Sequence, residues 1–189
     1  MPINFDLESL RKEFECVNYF ETGLWDPRDN VSSKKALTCD FNTVWCIEIR
    51  EDWVNLGKEI FQKEIDEGKY RLILDDSVNM KNYLQVDCFK ERTIFFLDAH
   101  VDNSNIHNFQ KRCPLFEELE AIGSLERKDH IILVDDLRIL KQPYPWSETS
   151  YGNVQFVERI MEKILQINPL YKFKTLDGHI KDDVLLAYI

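Results

Sequence analysis

The stretch TIFFLDAHVDN, residues 93–103, drives an apolar run inward and then presents Asp98, His100 and Asp102 where the chain surfaces. Further on, the run HIILV ends in the pair Asp135-Asp136. Carboxylates and imidazoles are the side chains that hold metal ions and move protons. If Asp98, Asp135 and Asp136 are brought together they repel one another and need a cation between them. An all-oxygen set of this kind suits Mg²⁺, Mn²⁺ or Ca²⁺ over Zn²⁺. Three other strand-like runs also stop at acid: Glu21-Thr22-Gly23, Glu48, and Asp75-Asp76-Ser77. Singly, each reads as strand-end punctuation or a helix cap. Together they define a rim.

Positioning five acidic ends on one rim requires a parallel sheet, because ligands of open α/β sheets collect outside the carboxyl ends of the strands. The apolar, β-branched and aromatic runs at 16–20, 43–49, 70–74, 93–97 and 130–134 are expected strands. Helical period or composition separates them at 31–38, 52–66, 77–86 and 114–125, the last with Leu115, Phe116, Leu119 and Ile122 recurring every three or four residues. β-α alternation of this kind implies parallel strands with helices on both faces. The rhythm then changes: an amphipathic helix at 153–167 leads to YKFKTL, DGHIKDD and VLLAYI, an antiparallel closing hairpin. The expected fold class is α/β, a Rossmann-like doubly wound sheet of seven strands, mostly parallel, in one domain spanning 1–189. Residues 141–153, KQPYPWSETSYGN, form the one long loop with a functional look.

Bulk properties narrow the partners. A chain of 189 residues, 44% apolar and 12% aromatic, suffices for one core. No apolar run reaches membrane-spanning length and no signal segment opens the chain, so a cytoplasmic location is expected, with no membrane partner. The net charge of −10 disfavours nucleic acid and favours a cationic cofactor or metal. The five cysteines, Cys16, Cys39, Cys46, Cys88 and Cys113, form no C-x-x-C pair and read as reduced thiols.

The strand ends resemble those of class I S-adenosylmethionine-dependent methyltransferases, over essentially the whole chain. YFETG is similar to the family's first turn under the methionine part of the cofactor, WCIEI to the strand whose acid accepts the ribose hydroxyls, and LDDS to the stretch beside the adenine. The resemblance implies a cofactor site of Glu21, Thr22, Gly23, Ser32, Glu48, Asp76 and Ser77, with Ser32 or Ser33 also placed to cap the helix that follows. One carboxylate suits two vicinal hydroxyls, acidic walls suit a sulfonium, and glycine at 23 would let the backbone approach the ligand. The loop departs from the family in having one glycine, with Trp25 and Pro27 nearby.

Asp98 and Asp135-Asp136 further resemble the cation-dependent O-methyltransferases, of the catechol and macrolide-sugar branches. That likeness implies Asp98, Asp135 and Asp136 as ligands of Mg²⁺ or Mn²⁺, with His100 as the base and Asp98 able to share the role. The implied reaction is methyl transfer to a hydroxyl of a glycan or other small molecule, with a sugar preferred. The chain would then work beside glycosyltransferases.

Several residues carry two readings. Asp102 is a ligand-supporting group or loop polarity, and Arg138 a substrate contact or an ion pair with nearby acid. Residues 144–152 are a lid over the acceptor or a loop anchored by Trp146. His107 reads as surface, His130 opens strand five at the far end of the sheet, His179 lies in the final hairpin, and Trp45 and Trp53 read as packing residues. FFLDAHVD also resembles the DAHxD signature of manganese ureohydrolases, but no GGDHS follows. The remaining alternative is a methyltransferase-like module that binds without catalysis.

Overall fold

The computed structural model describes residues 3–29, 32–100, 113–141 and 156–189. In chain order the elements are α1 (Leu7–Glu13), β1 (Asn18–Thr22), α2 (Ser32–Thr38), β2 (Thr43–Glu48), α3 (Glu51–Ile60), α4 (Gln62–Asp66), β3 (Tyr70–Leu74), 3₁₀ turns at Ser77–Asn82 and Asp87–Lys90, β4 (Thr93–Leu97), α5 (Leu115–Ser124), β5 (Ile131–Val134), α6 (Leu137–Leu140), α7 (Phe156–Ile167), β6 (Lys172–Leu176) and β7 (Val184–Tyr188). One seven-stranded sheet runs β3-β2-β1-β4-β5-β7-β6. The first five strands are parallel, and β7 lies antiparallel to both β5 and β6. The expected α/β architecture is therefore the observed one.

The central strands are apolar on both sides because both faces are covered. On one face Phe20, Trp45, Phe95 and Ile132 meet Leu119 of α5 and Ile160 of α7. Phe89, from the second 3₁₀ turn, sits among Phe20, Trp45 and Phe95 with ring centroids 5.3 to 6.2 Å away. The other face packs Tyr19, Cys46, Ile94 and Phe96 against Leu7 and Leu10 of α1 and Ala36 of α2.

Three local expectations change. The helix expected at 52–66 breaks at Phe61, whose φ of −103° and ψ of 22° end α3 while its buried ring packs edge-on against Tyr70. The helix expected at 77–86 is a 3₁₀ turn at Ser77–Asn82, because Asp75 draws in the side chains of Asn79 and Tyr83 at 2.8 and 2.6 Å and tightens the chain there. Helix α1 was not anticipated. Asp6 caps it through Ser9 N–H at 3.0 Å, Glu8 pairs with Arg11 and Lys12 along one face, and Leu7, Leu10 and Phe14 recur at helical spacing.

Candidate functional site

Register alone brings the acidic ends together: Thr22 stands beside Ile47 of β2 and Leu97 of β4, and Leu97 beside Val134 of β5. The residues just beyond these pairs form the rim. Asp98 N–H bonds the Thr22 carbonyl at 3.1 Å, and Asp135 N–H bonds the Leu97 carbonyl at 3.1 Å.

On the cofactor side, the side chains are already engaged with one another. Glu21 is fully buried and accepts from Ser33 Oγ at 2.8 Å and from Ser32 Oγ. Ser32 and Ser33 stand in the first turn of α2, and their hydroxyls tie the helix to the strand. Gly23 has φ +86°, and a Cβ there would lie 2.4 Å from the Asp98 carbonyl oxygen. A close approach to the end of β4 thus demands glycine here. Glu48 Oε2 accepts Leu24 N–H at 2.8 Å and Trp25 N–H at 3.1 Å, and Oε1 accepts Arg50 N–H at 2.8 Å. Burial raises the Glu48 pKa against these amides. A carboxylate offers about four lone-pair directions, and backbone amides, with that of Ile49 among them, take up most of them. Asp76 caps the 3₁₀ turn through Val78 N–H at 3.1 Å, and Ser77 is buried beside it.

Ligand atoms of Asp98, His100 and Asp136 lie within 4.8 Å of one another, and those of Asp135, Asp136 and Asp183 do likewise. The ring of His100 is buried, with Nε2 3.2 Å from Asp136 Oδ2. Burial works to lower the His100 pKa, but the Asp136 bond and charge raise it. Burial, then the charge of Asp135, holds the Asp98 pKa well above the usual carboxylate range. Burial and the neighbouring Asp136 push Asp135 up to about 6. Asp136 itself takes the left-handed conformation, φ 61°, and ion-pairs with Arg138 at 2.5 Å. Although burial opposes it, His100 and Arg138 hold the Asp136 pKa below the usual value. Arg138 also pairs with Asp183, whose Oδ1 accepts Arg138 N–H at 2.8 Å. The ion-pair reading of Arg138 is the observed one.

The grouping differs from the all-oxygen set expected from sequence. His100 joins Asp98 and Asp136, while Asp135 groups with Asp136 and Asp183 because its Oδ1 turns back to accept Asp136 N–H at 2.7 Å. The two carboxylates of the first group fit a hard divalent cation such as Mg²⁺ or Mn²⁺, with the His100 imidazole beside them. Arg138 supplies positive charge to Asp136, which the two groups share, and to Asp183 of the second. Asp102, His107 and the loop at 144–152 lie outside the described residues. His130 is buried at the opposite end of the sheet, its Nδ1 accepting Thr93 N–H at 3.2 Å.

Two acids went unread. Asp183 opens β7 after a loop of polar residues, with nothing in the sequence to set it apart from Asp182. Glu118 is fully buried on α5, and burial pushes its pKa up to about 7 while the nearby hydroxyls of Ser77 and Thr22 and the imidazole of His100 draw it partly back. Its signal was present: it falls between Leu115 and Ile122 on the apolar stripe of the helix.

No protein-family model matches the chain, and no curated protein matches its sequence. The fold, however, is shared with solved methyltransferases. The Streptomyces achromogenes O-methyltransferase TomG, involved in tomaymycin synthesis and solved with SAM, superposes with TM-score 0.64 at 14% identity over 97% of this chain and 77% of its own. A Bacillus cereus O-methyltransferase in complex with SAH gives 0.63 at 15%, over 97% and 78%. Aeropyrum pernix fibrillarin with bound S-adenosyl-L-methionine gives 0.57 at 10%, over 91% and 66%. The chain has the fold of the class I S-adenosylmethionine-dependent methyltransferases.

Proposed function

We propose that this protein is an S-adenosylmethionine-dependent O-methyltransferase, and that it uses a divalent cation, Mg²⁺ or Mn²⁺, to act on a hydroxyl of a sugar, glycan or other small molecule. The observation that carries the reading is the Asp98, His100 and Asp136 cluster at the ends of β4 and β5, next to the Glu21 to Gly23 turn, in a sheet of methyltransferase topology. Bound cofactor supplies a methyl group activated as a sulfonium, and a bound cation lowers the pKa of the acceptor hydroxyl. The chain's own residues do the rest. Glu48 fixes the first loop; Asp98 and Asp136 would hold the cation; Asp136 orients His100, which would take the hydroxyl proton.

Calorimetry with S-adenosylmethionine, with and without Mn²⁺ or Mg²⁺, on wild type and Asp136→Ala tests this. Cofactor binding strengthened by metal in wild type alone is the expected result. Cofactor binding that ignores metal leaves a metal-free methyltransferase. Absence of cofactor binding favours the second reading, a methyltransferase-like binding module, which the amide-filled Glu48 and the Arg138 counter-charge on Asp136 support.

A further inference from the structure

Glu118 is difficult to explain as structure. It occupies the apolar side of α5, among Leu115, Leu119 and Ile122, all buried, where an aliphatic residue would pack without cost. Its side chain is fully buried, and neither carboxylate oxygen reaches hydrogen-bonding geometry with a described group. A buried polar group left in that condition costs on the order of 1–3 kcal/mol, more when charged. Natural cores rarely retain such a group unless a ligand, ion or water completes it. The groups around it locate the missing partner. Thr22, Ser77 and His100 belong to the carboxyl ends of β1, β3 and β4, so Glu118 faces the same rim as the candidate cofactor site, approached from beneath by a helix. Its other charged neighbour is Asp76, another acid. Among the described residues, the groups that act on it most strongly include no lysine or arginine, whereas Asp136 and Asp183 both have Arg138.

An acid whose oxygens make no well-formed hydrogen bond, walled by another acid, an imidazole and two hydroxyls, fits a ligand group that brings N–H bonds. We infer that Glu118 is a recognition residue of the cofactor pocket, accepting a hydrogen bond from an amino group of the bound nucleoside cofactor. The inference rests on the proposed use of S-adenosylmethionine, which carries two such groups: the exocyclic amine of its adenine and the ammonium of its methionine. Both are N–H donors that a carboxylate accepts, and Glu118 lies between the strand ends assigned by resemblance to each. A residue kept for a ligand at the expense of the empty fold has a signature: its removal weakens binding and strengthens the protein.

The experiment compares wild type, Glu118→Gln and Glu118→Leu. Binding of S-adenosylhomocysteine, 5′-methylthioadenosine and S-inosylhomocysteine is measured by calorimetry, and thermal unfolding is followed without ligand. Wild type binds S-adenosylhomocysteine; Glu118→Leu binds it at least tenfold more weakly yet melts no lower than wild type; Glu118→Gln, which keeps an acceptor oxygen, binds within about threefold. The analogues separate the two amines. Wild-type discrimination against S-inosylhomocysteine that disappears in Glu118→Leu assigns the adenine amine, and discrimination against 5′-methylthioadenosine that disappears assigns the ammonium. If Glu118→Leu keeps full affinity, or melts lower and binds normally once folded, Glu118 is a structural residue and the inference is overturned while the methyltransferase reading stands. If wild type binds none of the three nucleosides, both fall.

Discussion

Glu48 Oε2 accepts the backbone N–H of Leu24 at 2.8 Å, so the acid that ends β2 anchors the loop leaving β1. The same oxygen takes Trp25 N–H, and Oε1 takes Arg50 N–H. A glutamine has one acceptor oxygen and would turn an amide NH₂ toward N–H donors. Glu48→Gln is therefore expected to lose about 2 kcal/mol of unfolding free energy, in line with hydrogen bonds to a charged acceptor. Urea titration checks it, and affinity for S-adenosylmethionine should fall in parallel as the loop loosens.

Gly23 and Gly68 both have positive φ, +86° and +72°, but only Gly23 is crowded. A Cβ at 68 meets nothing within 4 Å, whereas at 23 it would lie 2.4 Å from the Asp98 carbonyl oxygen. Gly68→Ala should cost about 1–2 kcal/mol, the left-handed penalty alone. Gly23→Ala adds a backbone clash and should cost clearly more, with Asp98 displaced. Chemical denaturation of both variants separates the two contributions.

The legibility of this chain in its sequence follows from which forces act locally. Strands such as TIFFL and HIILV announce themselves because both faces of the sheet are buried, and parallel register then carries their acidic ends to one rim without further information. What escaped was set by tertiary partners. The break at Phe61 depends on Tyr70, and the 3₁₀ turn after β3 depends on Asp75 gathering Asn79 and Tyr83. The tie of Glu21 to Ser32 and Ser33, eleven and twelve residues on, forms because the return of α2 brings them there. The expected neighbours β4 and β5 do pair, but the contact of His100 with Asp136 is set by side-chain geometry beyond the strand ends.

His100 and Asp136 give the activity prediction. With Nε2 held 3.2 Å from Asp136 Oδ2, the imidazole is oriented and its charged form favoured. His100→Gln is expected to lower methyl transfer by roughly 10²–10⁴, the usual share of a general base. Cofactor affinity should stay within about twofold, since the variant leaves the Glu48 side untouched. Single-turnover kinetics with labelled S-adenosylmethionine measures the first, calorimetry the second.

Arg138 bridges Asp136 and Asp183, whose side chains are almost wholly buried. Arg138→Leu leaves both carboxylates without that counter-charge and is expected to destabilise by about 3–5 kcal/mol. A cation that enters beside Asp136 would compensate. Added Mn²⁺ should therefore raise the melting temperature of Arg138→Leu by more than that of wild type. Equal shifts, or none, would place the cation elsewhere.

Glu118 and His130 bend stability with pH in opposite directions. Burial raises Glu118 from 4.5 to about 7, so between these values the native state holds a proton that the unfolded chain has released. Stability from this group is full below pH 4.5 and is lost as pH rises towards 7, by about 3 kcal/mol at 1.36 kcal/mol per unit. Burial lowers His130 from 6.5 to about 4, so as pH falls through that window the unfolded chain takes up a proton that the native ring resists. Its contribution is full above pH 6.5 and is lost towards 4, by a similar amount of about 3 kcal/mol. Urea titrations from pH 4 to 8 should show Glu118→Gln gaining on wild type as pH rises. His130→Asn, which cannot titrate, should gain on wild type as pH falls. Parallel profiles for all three proteins would mean that neither group carries its proton as the burial of its side chain requires.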